Sequence, residues 1–260
     1  MAGGLDLTRV SLKHRRTRIV ATVGPSSSSP SVLAALIAAG VDVFRLNFSH
    51  GDHASHAAAY VAIRAASEGL ERPVAVLADL CGPKIRVGHF AGGSVELVEG
   101  AEVLITTRIV AGGVGADGVV VIPSEYEPFA RDLRARDRVL LADGAMALEV
   151  ITSDGKSDVR CRVIYGGMLG DRKGINLPGV PLSTPSLTDK DREDALFAAS
   201  LGVDYMALSF VRSASDIEDL RELLRDCDDP PAIIAKIEKP EALHDIAAIL
   251  LATDAVMVAR

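Results

Sequence analysis

Cysteine is scarce in this chain of 260 residues: Cys81, Cys161 and Cys227 are odd in number and none lies near another. That disfavours both a disulfide framework and a thiolate zinc cluster, and a reducing cytoplasm is the expected setting. Long apolar runs are missing too. No uncharged apolar run reaches 18 residues, and the N-terminus has no apolar signal core, so membrane insertion and secretion are disfavoured. Positive charge is in deficit, with 28 Lys+Arg against 35 Asp+Glu and a net charge of −7. Neither nucleic acid nor an anionic membrane is an expected partner, and any anion must be held locally. The basic run Lys13-His14-Arg15-Arg16 reads as a solvated lead-in to the first strand. Apolar residues are plentiful, at 48% with a mean hydropathy of +0.26, enough for the core of a soluble globular protein.

The order of apolar runs predicts βαβ units in the first section. Strands are expected at 18–24, 41–49 and 74–80, with a helix opened by Ser29 and Pro30 and closed by Gly40, and another over 52–69. From 87 to 181 the composition changes. Fifteen of the 23 glycines fall there, between the β-branched runs 95–106, 118–123, 138–151 and 158–165, which predicts an inserted all-β domain. The βα grammar then resumes: a helix from Thr188 and Asp191 to Gly202, strand 203–210, helix 215–225 with Ser215 and Glu218 at capping-box spacing, strand 232–238, a helix from Pro240, and strand 255–260. Gly40-Val41-Asp42-x-x-x-Leu46-x-Phe48 recurs as Gly202-Val203-Asp204-x-x-x-Leu208-x-Phe210, so one βα unit is used twice. Six parallel strands are two short of a (β/α)₈ TIM barrel. The expected fold class is therefore α/β: such a barrel truncated after its sixth strand, with the β domain inserted after the third. The expected domains are 1–86 and 182–260 for the barrel and 87–181 for the insertion.

Residues two apart in a strand share a face, so Arg45, Asn47 and Ser49 gather at the C-terminal end of one strand, and Lys236 and Glu238 at another. The arginine fork suits phosphate or carboxylate, and the Asn and Ser oxygens suit a hard cation; a polar strand end bonded to loops is the alternative. Lys236 can stabilise an enolate or a transferring phosphoryl group and Glu238 can hold Mg²⁺, the alternative being a structural ion pair. Asp79 ends a strand before the turn Cys81-Gly82-Pro83-Lys84-Ile85-Arg86, and Asp171-Arg172-Lys173-Gly174 leaves the insertion, with Lys173 expected across the mouth from Arg86. Neither turn matches the glycine-lysine phosphate loop or the dinucleotide fingerprint. His50, at a strand exit, is the histidine of interest.

Six ordered segments, Arg18-Ile19-Val20-Ala21-Thr22-Val23-Gly24-Pro25, Arg45-Leu46-Asn47-Phe48-Ser49-His50-Gly51, Asp79-x-x-Gly82-Pro83-Lys84-Ile85-Arg86, Lys173-Gly174-Ile175-Asn176-Leu177-Pro178-Gly179, Ala235-Lys236-Ile237-Glu238 and Met257-Val258-Ala259-Arg260, resemble pyruvate kinase over nearly the whole chain. The resemblance implies a barrel with a mobile β lid, transferring a phosphoryl group from phosphoenolpyruvate to ADP to give pyruvate and ATP in glycolysis. It implies Lys236 as the catalytic lysine, Glu238 as a ligand of Mg²⁺ or Mn²⁺, and Arg45 and Ser209 at the phosphoenolpyruvate. His50, Arg86 and Lys173 would contact the nucleotide. Asn47, Ser49, Asp79 and the Leu80 carbonyl match the family's monovalent-cation site. Members that need K⁺ carry Glu at the position of Lys84, whereas those that do not carry Lys there with Leu at the position of Leu80. K⁺-independence is therefore expected, with Lys84 supplying the charge.

Beyond Arg260 the resemblance calls for Gly-Asp, which brings the second metal carboxylate, then two further β/α units and another domain. The expected status of the chain is thus an incomplete fragment of a cytoplasmic enzyme that is a homo-oligomer when full length, with no nucleic-acid or membrane partner. The alternatives are a non-catalytic remnant that binds ligand or a full-length subunit, and an aldolase or lyase acting on a pyruvate enolate.

Overall fold

A run that begins with proline and stops at glycine specifies both ends of a helix, and the chain uses this device early. In a computed structural model describing residues 15–258, strand β1 (Val20–Thr22) leads into α1 (Pro30–Ala39), which Gly40 closes with φ 114°. β2 (Val43–Asn47), α2 (His53–Gly69) and β3 (Ala75–Asp79) follow. Next come β4 (Ser94–Leu97), β5 (Glu102–Thr106), β6 (Gly113–Val114), β7 (Val120–Pro123), the single turn α3 (Phe129–Asp132), β8 (Arg138–Leu141), β9 (Met146–Ser153), β10 (Asp158–Tyr165), β11 (Gly167–Gly170) and β12 (Ile175–Asn176). The last part runs α4 (Asp189–Leu201), β13 (Tyr205–Leu208), α5 (Ala214–Leu223), β14 (Ala232–Ile237), α6 (Glu241–His244), α7 (Ile246–Ala252) and β15 (Ala255–Val258). Among the described residues no helix is long and apolar enough to cross a membrane.

The chain divides into two compact units, one holding the residues up to Gly82, Ser186–Glu238 and those from Ala242 on, the other Pro83–Pro185 with Lys239–Glu241. The first unit is α/β. Its six strands form one parallel sheet in the order β1-β2-β3-β13-β14-β15. Phe44, Leu46, Val76, Met206 and Ile233 of the strands are buried with Leu33, Ile37, Ile63, Ile217 and Leu220 of the helices, as a parallel sheet under helices requires. The second unit has a seven-stranded sheet, β12-β8-β9-β10-β5-β7-β6, and the pair β11-β4. Along β10, Val159, Cys161 and Val163 are buried while Arg160 and Arg162 are exposed, the period-two pattern of a sheet with one dry face. Burial pushes the Cys161 thiol up to about 12, so this cysteine packs rather than reacts.

Several boundaries differ from expectation for local reasons. Runs 95–106 and 138–151 each split into two strands, at Gly100 (φ 81°) and at Ala142, Asp143 and Gly144 (φ 50°, 57° and 87°). The cap of α5 is Ser213, not Ser215: Ser213 is extended, and the Asp216 carboxylate accepts its N–H at 3.1 Å. The helix expected from Pro240 is two short ones, broken at Asp245, whose carboxylate accepts the Ala214 N–H at 2.9 Å. Arg15 is no solvated lead-in: it donates to the Gly40 carbonyl at 2.7 Å and pairs with Asp42. Lys13, His14, Ala259 and Arg260 lie outside the described residues.

The repeated Gly-Val-Asp has a structural meaning. Asp42, just before β2, accepts the Ile19 N–H at 2.7 Å and donates its own N–H to the Ile19 carbonyl at 3.0 Å. Asp204, before β13, does the same with Val76 at 2.6 and 2.9 Å, and Asp254, before β15, with Ile233 at 2.7 and 3.0 Å. Each carboxylate also meets an arginine: Arg15 and Arg18 at Asp42, Arg64 at Asp204 and Arg221 at Asp254. The aspartates therefore brace every second strand to the neighbour before it in the sheet. Asp42 is the least exposed of the three. Asp42→Ala is expected to cost about 1–3 kcal/mol through the lost charge-assisted hydrogen bond and ion pairs, while Asp226→Ala on the surface costs less than about 0.5 kcal/mol. Urea unfolding of both variants measures this; equal midpoints would refute the brace.

Candidate active site

The C-terminal ends of β2, β3, β13 and β14 converge on one buried carboxylate. Register places Asn47 opposite Asp79 and Asp79 opposite Ala207, so side chains from neighbouring strands reach the same spot. Asp79 is 1% exposed. Its Oδ2 accepts Arg45 Nε–H at 2.7 Å, a second guanidinium nitrogen of Arg45 meets the same oxygen, and the guanidinium also donates to Thr22 Oγ1 at 2.9 Å. Lys236 Nζ lies 3.1 Å from Asp79 Oδ1. That oxygen accepts no aligned hydrogen bond, so the contact is one of charge.

Lys236, 8% exposed, is held by more than charge. Its Nζ donates to Ser209 Oγ at 2.7 Å, and Ser209 in turn donates its only proton to the Leu80 carbonyl at 2.7 Å, which turns the hydroxyl lone pairs toward the ammonium. Glu238 Oε1 stands 3.4 Å from Nζ, and Oε2 accepts the Phe210 N–H at 2.9 Å. Phe210 makes that bond from a left-handed backbone, φ 58°, with its carbonyl accepting from the buried Ser186 hydroxyl at 2.9 Å. Gly82 is required beside it: φ is 67°, and a Cβ would come within 2.7 Å of the Phe210 ring. Asp191, the capping-box residue of α4, accepts the Gly82 N–H at 3.0 Å. Arg45, Lys236, Asp79 and Glu238 add to zero net charge, a balanced set before any substrate arrives.

Sequence reasoning placed Arg45, Asp79, Leu80, Ser209, Lys236 and Glu238 in one neighbourhood, and they are brought together. Asn47 Oδ1 accepts the Ser49 N–H at 3.1 Å, so these two close the end of β2 on themselves. His50 lines a cavity of about 770 Å³ with Thr22, Gly24, Pro25, Asn47 and Ala58. Its loop is fixed by His56, whose Nε2–H donates to the His50 carbonyl at 2.9 Å and whose ring stacks on Phe48. Burial holds the His56 pKa below its ordinary value, which keeps the ring neutral and this donor in place. Arg86, Lys173 and Lys84 belong to the second unit. Arg86 and Lys173 are not opposite one another: Arg86 bridges to Gly174, and the Val87 N–H donates to the Lys173 carbonyl at 2.9 Å. Thr22, Gly82, Asp191 and Phe210 were missed as site residues, although Thr22 and Gly82 stand inside the quoted motifs and Phe210 ends the repeat.

A divalent cation fits this arrangement in part. Mg²⁺ takes one or two protein carboxylates and fills its other positions with water and substrate oxygens. Glu238 offers one carboxylate at the site edge, and among the described residues no group of three or more His, Cys, Asp or Glu forms a cage.

Residues 14–260 match the family model described as pyruvate kinase, barrel domain. The chain belongs to the pyruvate kinase family. It is similar to pyruvate kinase of Mycobacterium tuberculosis, with 47% identity over 246 residues covering 95% of this chain and 51% of that protein. Pyruvate kinase 2 of Synechocystis is 46% identical over 250 residues, 95% of this chain and 41% of that one. Pyruvate kinase of Corynebacterium efficiens is 44% identical over 247 residues, 95% and 51% respectively. The chain spans about half the length of these curated relatives. Pyruvate kinases generally use Mg²⁺, in keeping with a site that offers one carboxylate rather than a cage.

The shared carboxylate predicts an asymmetry. Asp79→Ala leaves Arg45 and Lys236 facing each other and is expected to cost about 3–5 kcal/mol, whereas Lys236→Met leaves Asp79 paired with Arg45 and costs less than about 2 kcal/mol. Chemical unfolding of the two variants decides; equal costs would mean that Asp79 does not balance both cations.

Proposed function

We propose that this site transfers the phosphoryl group of phosphoenolpyruvate to ADP, giving pyruvate and ATP, as a cytoplasmic glycolytic enzyme that is a homo-oligomer when full length. The single observation that carries the reading is Lys236, buried and aimed between Asp79, Ser209 and Glu238 with Arg45 on the same Asp79. In this reading the six parallel strands are six of a (β/α)₈ barrel built from 1–86 and 182–260, and 87–181 is a lid inserted after the third strand.

Arg45 takes the phosphate of phosphoenolpyruvate. Its fork of donors lets it keep Asp79 while binding the new anion. A terminal oxygen of ADP attacks phosphorus, the bond from phosphorus to the enol oxygen breaks, and its electron pair stays on that oxygen. Lys236 neutralises the moving phosphoryl group and then the enolate, from a position fixed in advance by Ser209, so little reorganisation is needed during the transfer. The enolate carbon then takes up a proton to become pyruvate. Glu238 would hold the divalent cation, which when bound would supply electrophilic charge to the phosphoryl transfer. The cavity beside His50 suits a nucleotide, since Pro25, Ala58 and Ala59 offer a flat base apolar walls and His50 stands at the polar side. Arg86 and Lys173 serve the nucleotide phosphates, with the lid excluding water. Asn47, Ser49, Asp79 and Leu80 make up the monovalent-cation locus, and Lys84 supplies the charge that makes K⁺ dispensable.

ADP-dependent pyruvate formation is the test, on the 260-residue chain and on any longer product read in frame past the Arg260 codon. Lys236→Met is expected to lower kcat by about 10²–10³-fold or more. A longer product that makes no pyruvate from phosphoenolpyruvate and ADP would sink the proposal, and aldol cleavage in its place would favour the lyase reading. For the monovalent ion, kcat in KCl and in tetramethylammonium chloride of equal ionic strength should agree within about twofold, because Lys84 already supplies the charge. An increase of orders of magnitude with KCl would remove Lys84 from that role.

A further inference from the structure

His89, in the second unit, has no part in the chemistry above, yet it stands against the turn that carries Lys173. The Asp171 carboxylate accepts the Phe90 N–H at 2.8 Å on Oδ1 and meets His89 Nδ1 at 2.8 Å on Oδ2. Arg172 Nε–H donates to His89 Nε2 at 3.2 Å. Arginine only donates, so Nε2 carries a lone pair; the ring is therefore neutral with its proton on Nδ1, given to Asp171. The imidazole thus links two successive residues of a turn in which Arg172 has a left-handed backbone, φ 54°. Both cations assigned to the nucleotide hang on that turn: Lys173 is the next residue, and Arg86 donates to the Arg172 carbonyl at 3.1 Å.

Protonation of His89 would turn the acceptor Nε2 into a donor and set an imidazolium against a guanidinium, while strengthening the bond to Asp171. Asp171 stays ionised throughout, since the Phe90 N–H and then His89 hold it below the usual carboxylate range. The other charged groups around are Arg86, Glu125, whose N–H donates to the Arg86 carbonyl at 3.1 Å, and Asp143 beside Gly174. The segment that donates to the His89 carbonyl from Gly112 at 2.8 Å is uncharged from 110 to 113. Arg172 is therefore the group that protonation releases.

We propose that His89 is a positioning residue of the nucleotide clamp: its neutral ring ties Arg172 to Asp171 and so sets Lys173 and Arg86, and acid releases Arg172 and weakens ADP binding. The inference rests on the reading of Lys173 and Arg86 as nucleotide contacts. His89 is 61% exposed at its side chain, so solvent screening limits the effect to at most about fivefold in affinity between pH 8 and pH 5.5.

The experiment is an ADP titration of the 260-residue chain across that range, with NMR of the Lys173 and Gly174 amides, for the wild type, His89→Gln and Lys173→Ala. A glutamine amide donates to Asp171 and accepts from Arg172 at every pH. His89→Gln is therefore expected to remove the acid weakening and the matching movement of the two amides, while pH effects from the nucleotide's own phosphates are common to both proteins and cancel in the ratio. If His89→Gln flattens the ratio and Lys173→Ala leaves affinity unchanged, the clasp stands and the Lys173 assignment falls. If His89→Gln and the wild type share one profile, the proposal is overturned whatever Lys173→Ala does. No measurable ADP binding by the wild type overturns both.

Discussion

One carboxylate with two cations on it determines how the rest of the site is arranged. Asp79 is buried, and a buried charge persists only when compensated. Arg45 supplies the compensation from one neighbouring strand, with Lys236 reaching in from β14. Because the compensation is shared, neither cation is neutralised outright, and each keeps donor capacity directed away from Asp79. An anion entering such a site replaces no bond that must first be broken. The strand order makes this possible: β3 lies next to both β2 and β13, so the side chain at its end faces groups from either side.

Around that centre the chain uses strained or specialised backbone to aim polar groups. Phe210 presents its N–H to Glu238 from a left-handed conformation, Gly82 leaves the space that the Phe210 ring occupies, and Asp191 serves at once as a helix cap and as the acceptor for Gly82. The same aspartate thus connects the start of α4 to the end of β3. The opposite ends of the strands carry no such chemistry. There the same residue type, in Asp42, Asp204 and Asp254, braces backbone and pairs with surface arginines.

The element order and the polar strand ends were legible in the sequence because they depend on local rules: Pro30 and Gly40 bound a helix, and residues two apart on a strand share a face. The partners were less legible. Nothing in the spacing says that Asp79 serves both Arg45 and Lys236, since that follows from strand order and not from any one strand. The Ser213 cap was misplaced by two residues because Ser215 with Glu218 has the same spacing as Ser213 with Asp216, and only the extended backbone of Ser213 separates them. Arg86 and Lys173 lie far apart in sequence and their spacing does not show them to be neighbours; the bridge between Arg86 and Gly174 puts them side by side rather than across a mouth. The repeat containing Asp42 and Asp204 was visible, but its role was not, and the third copy at Asp254 lacks the Gly-Val signature altogether.

The three braces also bear on the order in which the sheet can assemble. Those at Asp42 and Asp254 join residues 23 and 21 apart in sequence, whereas the one at Asp204 joins residues 128 apart. Closing the longer loop costs about 1.5 kcal/mol more in chain entropy if the intervening residues are unstructured. Most of those residues belong to the second unit, whose strands after entry and before exit are held together where Arg86 meets Gly174. Once that unit has folded, the effective loop shrinks to residues 77–85 on one side and 175–203 on the other. The two outer strand pairs can therefore form from local encounters, while the central pair, which ends in Asp79, waits on the insertion, and the last part of the sheet to close is the part that gathers Asp79, Arg45 and Lys236.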